Sequence, residues 1–187
     1  MKVCIIIPTI KLVSRLIALF EEIKHTVYYD LNLIIESSKE SAAINTNRGM
    51  DKAKGEYIVI CGDDVEQFPM HWDKGLVDAM EATGATIVGP RLLNPDGKLQ
   101  AVNYANYDLS RDYVQTTTMI TAICMFKNTP LRMDENYLGS GFDDTDFCLQ
   151  IGGPYFVANT VRVVHRNEKK NQFNEQNRAY FNSKWGK

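Results

Sequence analysis

The chain has 187 residues, of which 44 % are hydrophobic and 24 % charged, which suits one soluble globular domain with a real core. Its 21 basic and 23 acidic residues leave a formal net charge of -2. That balance offers no broad basic surface for nucleic acid or an anionic membrane.

Val3 to Ile7 is an unbroken apolar run, the pattern of a strand covered on both faces. It falls well short of the roughly 18 residues of a membrane span, Pro8 ends it, and no small-residue cleavage site follows. A soluble, cytoplasmic protein without a transmembrane segment is the expectation. Leu12, Leu16, Leu19, Phe20 and Ile23 then recur at helical spacing. Leu31 to Ile35 reads as a second buried strand, and Ser41 to Lys54 as a polar helix stopped by Gly55. Glu56 to Cys61 is a third strand. Pro69 opens a helix whose Trp72, Leu76, Val77 and Met80 share a face, and Gly84 closes it. Ala85 to Gly89 is a fourth strand.

Strands alternating with helices imply right-handed crossovers and a mainly parallel sheet, an α/β fold of Rossmann-like type. The alternation stops at the Asn94-Pro95-Asp96-Gly97 turn. Residues 98–118 are polar, with tyrosines at 104, 107 and 113, and carry no clear period. Met119 to Phe126 reads as a buried strand, Asp144 to Gln150 as a short helix, and Tyr155 to Val164 as a strand ending at His165. A last helix puts Phe173, Tyr180, Phe181 and Trp185 on roughly one face, so the C-terminal tail should dock. One domain over 1–187 is the economical reading, with a nucleotide-binding half over about 1–93 and an acceptor-binding half over about 94–187. Cys4, Cys61, Cys124 and Cys148 lack Cys-x-x-Cys spacing and read as reduced, buried small hydrophobes.

Three carboxylates, Asp63, Asp64 and Glu66, arrive within four positions just past the third strand, after Gly62. In open α/β sheets the ligand crevice lies outside the carboxyl ends of the strands. Carboxylates gathered there repel one another unless a cation sits between them, and oxygen ligands of this kind suit Mg²⁺ or Mn²⁺, which suit a diphosphate. The same residues also suit a solvated turn that caps the following helix. A second group, Asp143, Asp144 and Asp146, loads the first turn of a helix approached through Gly139 and Gly141. One carboxylate is enough for a cap; a carboxylate at a helix start beside a metal-bound substrate is suited to general-base work. His165, at a strand end, is the histidine placed to join such a site.

In order and spacing these stretches resemble an inverting nucleotide-sugar glycosyltransferase of family 2, with the fold called GT-A. The likeness runs through Pro8-Thr9, Asn47-Arg48-Gly49, Ala53-Lys54-Gly55-Glu56-Tyr57-Ile58, Gly62-Asp63-Asp64-Val65 with Trp72, and Asp134-Glu135. It continues in Gly141-Phe142-Asp143-Asp144-Thr145-Asp146-Phe147-Cys148-Leu149, His165 and the ending from Asn177 to Lys184-Trp185-Gly186. The resemblance implies a sugar moved from a nucleoside-diphosphate sugar, most often a UDP-sugar, to a hydroxyl of a glycan, lipid-linked glycan, protein or modified nucleobase. It implies a Mn²⁺ or Mg²⁺ ion held by Asp64 and His165, and Asp144 as the base. Pro8, Thr9, Glu36, Asn47 and Asp63 would lie on the donor side, and Asp143, Asp146 and Trp72 on the acceptor side. Two departures stand out. The segment after the second strand, Glu36-Ser37-Ser38-Lys39, lacks the usual acidic pair with Gly-Ser, and Asp143 stands where Glu is usual. A sugar nucleotidylyltransferase would need a Gly-rich loop after the first strand, where the chain reads Pro8-Thr9-Ile10-Lys11-Leu12. A phosphoacceptor module would need an acidic pair there. A nucleotide-sugar binder without turnover is the remaining alternative.

Overall fold

A computed structural model describes residues 1–9, 14–100, 108–167 and 172–186. In chain order its elements are β1 (Lys2–Thr9), α1 (Ser14–Thr26), β2 (Asp30–Ser37), α2 (Ala42–Lys52), β3 (Tyr57–Cys61), β4 (Val65–Glu66) and α3 (Trp72–Thr83). There follow β5 (Ile87–Leu93), β6 (Tyr113–Thr116), β7 (Ile123–Lys127), α4 (Asp143–Ile151), β8 (Tyr155–His165) and α5 (Asn174–Trp185). The expected helical position Leu12 and the tyrosines at 104 and 107 lie outside the described residues. No helix among the described residues is long and apolar enough to cross a membrane.

The strands form one eight-stranded sheet in the order β2-β1-β3-β7-β5-β8-β4, with β6 paired to β8. β1 runs parallel to β2 and β3, and β5 parallel to β8. β7 inserts antiparallel between β3 and β5, so the mainly parallel sheet expected from the alternation has a reversed strand near its middle. β5 extends to Leu93, beyond the expected Gly89, because its outer half pairs with β8 after a register shift at Pro90/Arg91. β7 starts later than expected, at Ile123, because Met119 turns aside to bond the Cys148 thiol and Ala122 is bound by Gly62.

Period-two alternation along β1 splits the core into two layers. Val3, Ile5 and Ile7 face Leu16, Leu19 and Ile23 of α1 and Trp72, Leu76 and Met80 of α3. Cys4 and Ile6 face Ala43 and Met50 of α2 and Phe147 and Cys148 of α4. Both faces of the sheet are therefore covered, which is why β1 and β3 read as continuous apolar runs. Each fully buried Ile or Leu here contributes about 1.5–3 kcal/mol. All four cysteines are buried and free, as expected of small core residues. The consequence for function is positional: β1, β3 and β8 all discharge their carboxyl ends at one edge of this rigid sheet.

Candidate active site

At that edge β1 ends in Thr9, whose hydroxyl donates to Asp63 Oδ2 at 2.6 Å. Both residues are buried, and the bond ties strand ends that lie 54 positions apart. Asn45 of α2 joins the same corner, its Nδ2 donating to the carbonyls of Thr9 and Ser38. Between β3 and the acidic pair, Gly62 N–H donates to Ala122 O at 2.6 Å. A Cβ on Gly62 would stand 2.9 Å from Asp64 Oδ1 and 3.3 Å from Ala122 O. Only glycine lets the chain pass Ala122 while Asp64 folds back beside it.

The two-residue strand β4 then carries the chain across to β8, pairing Val65 with His165 and Glu66 with Val164. Arg166 N–H closes the junction by donating to Asp64 O at 3.0 Å, and the Arg166 side chain pairs with Glu66 at 2.8 Å. This brings Asp64 Oδ1 to 3.5 Å from His165 Nε2, with both side chains nearly buried. Glu66 is engaged by the Arg166 guanidinium.

Gln100 decides the chemistry of the pair. Its Nε2 lies 3.2 Å from the backbone carbonyl of His165 and 3.1 Å from Asn94 Oδ1. A backbone carbonyl only accepts, so that end of the amide is the NH₂ and the other end is Oε1. Oε1 lies 2.8 Å from His165 Nδ1, which must therefore carry the hydrogen. In the neutral imidazole this leaves the Nε2 lone pair facing a carboxylate oxygen. Two acceptors set this close call for a cation between them, and a histidine oriented through its second nitrogen is the usual form of a metal ligand. Nothing in the sequence around Gln100 marks it for this role; its partner lies 65 positions away.

The second acidic group separates into three environments. Asp143 is buried and accepts from Gly141 N–H at 2.6 Å. Asp144 is part-exposed, accepts from Thr145 N–H at 2.7 Å, and is also bonded by the backbone of Thr121. Burial pushes both carboxyls above the usual range, and the neighbouring charge of Asp144 pushes Asp143 further. Thr121 precedes Ala122, the residue that Gly62 binds, so one short segment links Asp144 to the strand end bearing Asp63 and Asp64. Asp144 thus combines a raised proton affinity with access to solvent, the requirements for a general base.

Asp146 belongs elsewhere. It is fully buried and accepts from Trp185 Nε1 at 2.7 Å, Tyr137 Oη at 3.2 Å and Gln150 Nε2 at 2.5 Å, with Lys184 Nζ at 2.9 Å. Its oxygens are saturated by the C-terminal helix, which corrects the expectation that it faces an acceptor. Trp72 is likewise a core residue, 1 % exposed and stacked at 5.0 Å on Phe68, so its acceptor-side assignment does not match its place. Asn47, expected on the donor side, spends its amide on Met133 N and O and on Glu135 Oε1, pinning the 133–135 segment to α2. Glu36 lies near the end of β2 in an ion pair with Lys52 at 2.5 Å, and Pro8 is the penultimate residue of β1, opposite Glu36 in the ladder. Among the described residues no third His, Cys, Asp or Glu gathers with Asp64 and His165.

Comparison with known proteins places this edge in context. The crystal structure of GalNAc-T7 with UDP, GalNAc and Mn²⁺ superposes with a TM-score of 0.72 at 11 % identity, over 98 % of this chain and 48 % of that one. The crystal structure of A197 from STIV superposes with a TM-score of 0.64 at 13 % identity, over 88 % of this chain and 85 % of that one. At such identities the likeness is one of fold, and it establishes the GT-A-type sheet. In sequence, the uncharacterized protein y4gI of Sinorhizobium fredii (strain NBRC 101917 / NGR234) is 24 % identical over 134 residues. That match takes in 59 % of this chain and 15 % of the relative, so the chain spans a small part of the curated relative's length. The pattern of glycosyl transferase family 2 matches residues 5–136, from β1 through the acidic strand end to Asn136. It stops short of Asp144 and His165, which rest on geometry alone; over most of its length, however, the chain is a member of glycosyl transferase family 2.

Proposed function

We propose that the chain is a metal-dependent, inverting glycosyltransferase that moves a sugar from a nucleoside-diphosphate sugar, a UDP-sugar, to an acceptor hydroxyl. The observation that carries this reading is the Asp64–His165 pair, two acceptor atoms 3.5 Å apart with the imidazole oriented by Gln100. The donor set fits a divalent ion of the Mn²⁺ or Mg²⁺ kind, with its remaining positions left to diphosphate oxygens and water. When bound, such an ion acts as a Lewis acid for the departing diphosphate. The Mn²⁺ and UDP of the GalNAc-T7 structure support the same choice of ion and nucleotide.

The chain's own residues divide the remaining work. Thr9 and Asp63, locked together at 2.6 Å, line the donor side at the ends of β1 and β3. Asp144 takes the proton from the acceptor hydroxyl as its oxygen attacks the anomeric carbon. The new glycosidic C–O bond forms as the bond to the diphosphate oxygen breaks, and one displacement inverts the centre. Asp143, buried and bonded by Gly141 N–H, fixes the turn that leads into Asp144 on the acceptor side. The test is a screen of UDP-sugars and other nucleotide sugars with Mn²⁺, read as nucleoside diphosphate released. Metal-dependent release is the expected result. Metal-dependent UDP binding without release from any donor would favour a binding module instead.

A further inference from the structure

We infer that Asn177 is a positioning residue for the general base, and that α5 is a strap fixing the start of α4 from both sides of Asp144. The inference rests on the reading of Asp144 as that base. Local bonds from Gly141 N–H to Asp143 and from Thr145 N–H to Asp144, with Ala42 N–H on Gly139 O at 2.9 Å, hold the start of α4 only in part. Phe142, its N-cap, sits in the left-handed region at φ 67° and supplies no side-chain cap bond. Before it the chain turns through Gly139 and Gly141, both also at positive φ. Such a segment has loose backbone and several carbonyls in need of donors.

Those donors come from α5. Asn177 is 2 % exposed; its Oδ1 accepts from Leu138 N–H at 3.0 Å. Its Nδ2 lies 2.9 Å from Leu138 O, 3.2 Å from Ser140 O and 3.0 Å from Gly141 O. One turn on, Phe181 packs on the Phe142 ring at 5.4 Å, and Arg178 sits over that ring at 5.9 Å. One further turn on, Lys184 and Trp185 hold Asp146, two residues past Asp144. Tyr180 and Lys184 also bind Asp134, at 2.9 and 2.6 Å. Among the described residues, every side-chain hydrogen bond that α5 makes outside itself falls on residues 134–146. The helix grips the segment that carries the base, while the strand ends bearing Asp63, Asp64 and His165 are held by other contacts. Loss of the strap should therefore cost the chemical step and spare nucleotide binding.

The test uses the full chain with Asn177→Asp and Trp185→Phe. The first keeps the acceptor for Leu138 N–H and removes the donors to three carbonyls; the second keeps the ring and removes the bond to Asp146. Ala179→Gly, at an exposed position of α5, weakens the helix alone and serves as control. Release of UDP is measured on a panel of UDP-hexoses and UDP-N-acetylhexosamines with Mn²⁺, alongside UDP affinity and amide exchange over 138–146. The expected result for both variants is a fall in kcat of tenfold or more, UDP affinity within twofold of wild type, and faster exchange confined to 138–146. Ala179→Gly should keep its kcat. Wild-type kcat in Asn177→Asp and Trp185→Phe would overturn the inference, as would an equal loss in the Ala179→Gly control. Should Asn177→Asp fail to fold, Trp185→Phe decides by the same readings. Asp144→Asn is run in parallel: wild-type release there removes the base itself, a failure separate from that of the strap, and the inference falls with it.

Discussion

His165 Nε2 and Asp64 Oδ1 face each other at 3.5 Å, and the Gln100 amide on the far side of the ring puts the hydrogen on Nδ1, so that in the neutral imidazole both facing atoms are acceptors. That relationship predicts that Gln100 governs cation affinity without touching the cation. Gln100→Leu removes the acceptor for Nδ1–H and frees the ring to turn or change tautomer. Affinity for UDP in the presence of Mn²⁺ should fall ten- to a hundredfold, the usual cost of losing the group that orients a ligating histidine. His165→Ala should lose at least as much, and chelation of the metal should bring all three proteins to one weak affinity. Calorimetry with UDP decides; a Gln100→Leu protein with wild-type affinity in Mn²⁺ would sink the assignment.

Gly62 sets the position of Asp64 by its lack of a side chain. In Gly62→Ala the added methyl would press on Asp64 Oδ1 at 2.9 Å and on Ala122 O at 3.3 Å. The carboxylate is the more movable of the two, so it gives way and leaves His165. The expected outcome is a loss of Mn²⁺-dependent UDP binding out of proportion to stability, with the melting temperature lowered by only a few degrees, equivalent to about 1–3 kcal/mol. Equal affinity in the variant and the wild type would show that Asp64 does not depend on this approach.

How much of this was legible in the sequence varies with the range of the interaction concerned. β1 and β3 announce themselves because both of their faces are buried, and Asp63 and Asp64 follow from the strand end they terminate. β4 could not be read, since a two-residue ladder has no period; yet it is the crossing that brings Asp64 to His165. Asp143, Asp144 and Asp146 look alike as letters. Only the packing of α5 separates Asp146, bound by Lys184 and Trp185, from the part-exposed Asp144. The aromatic pattern of the last helix predicted docking, but Asn177, the residue that grips the loop, has no apolar signature to betray it. The burial of Trp72 in the core and the hold of Asn47 on residues 133–135 were illegible for the same reason: sequence position gives proximity to a motif and says nothing of which way the side chain turns.

Ionising Asp143 costs the folded protein stability. Burial, and then the charge of Asp144, raise its pKa above that of an unfolded aspartate, about 3.9. With the folded value raised, the folded state binds more protons than the unfolded one in between. Stability therefore declines as pH climbs from about 4 through the raised value, and the deficit persists above it. Asp143→Asn keeps an oxygen for Gly141 N–H and carries no charge, so in metal-free protein it should melt at a higher temperature than wild type at pH 7.5. At pH 4 the two melting temperatures should converge. A variant less stable than wild type at pH 7.5 would mean that Asp143 has a counter-charge that outweighs its burial.

The carboxyl of Asp144 is also pushed above the usual range, first by burial, and here the direction bears on rate. A base must be ionised to take the acceptor's proton, so turnover should fall as pH drops through its raised pKa. The acid limb should then lie above the pH where an ordinary exposed aspartate would place it. Asp144→Asn preserves shape and the bond from Thr145 N–H while abolishing proton uptake. Release of UDP from a donor sugar should drop by about 10²–10⁴-fold, the range general-base groups supply, and the acid limb should vanish from what activity survives. UDP affinity in Mn²⁺ should stay within twofold, because Asp64, His165, Thr9 and Asp63, the residues proposed for the donor end, stand on strand ends and not on α4. Loss of UDP binding together with turnover would instead make Asp144 a structural member of the donor site. Undiminished release with an unchanged acid limb would transfer the base role to another group at this edge.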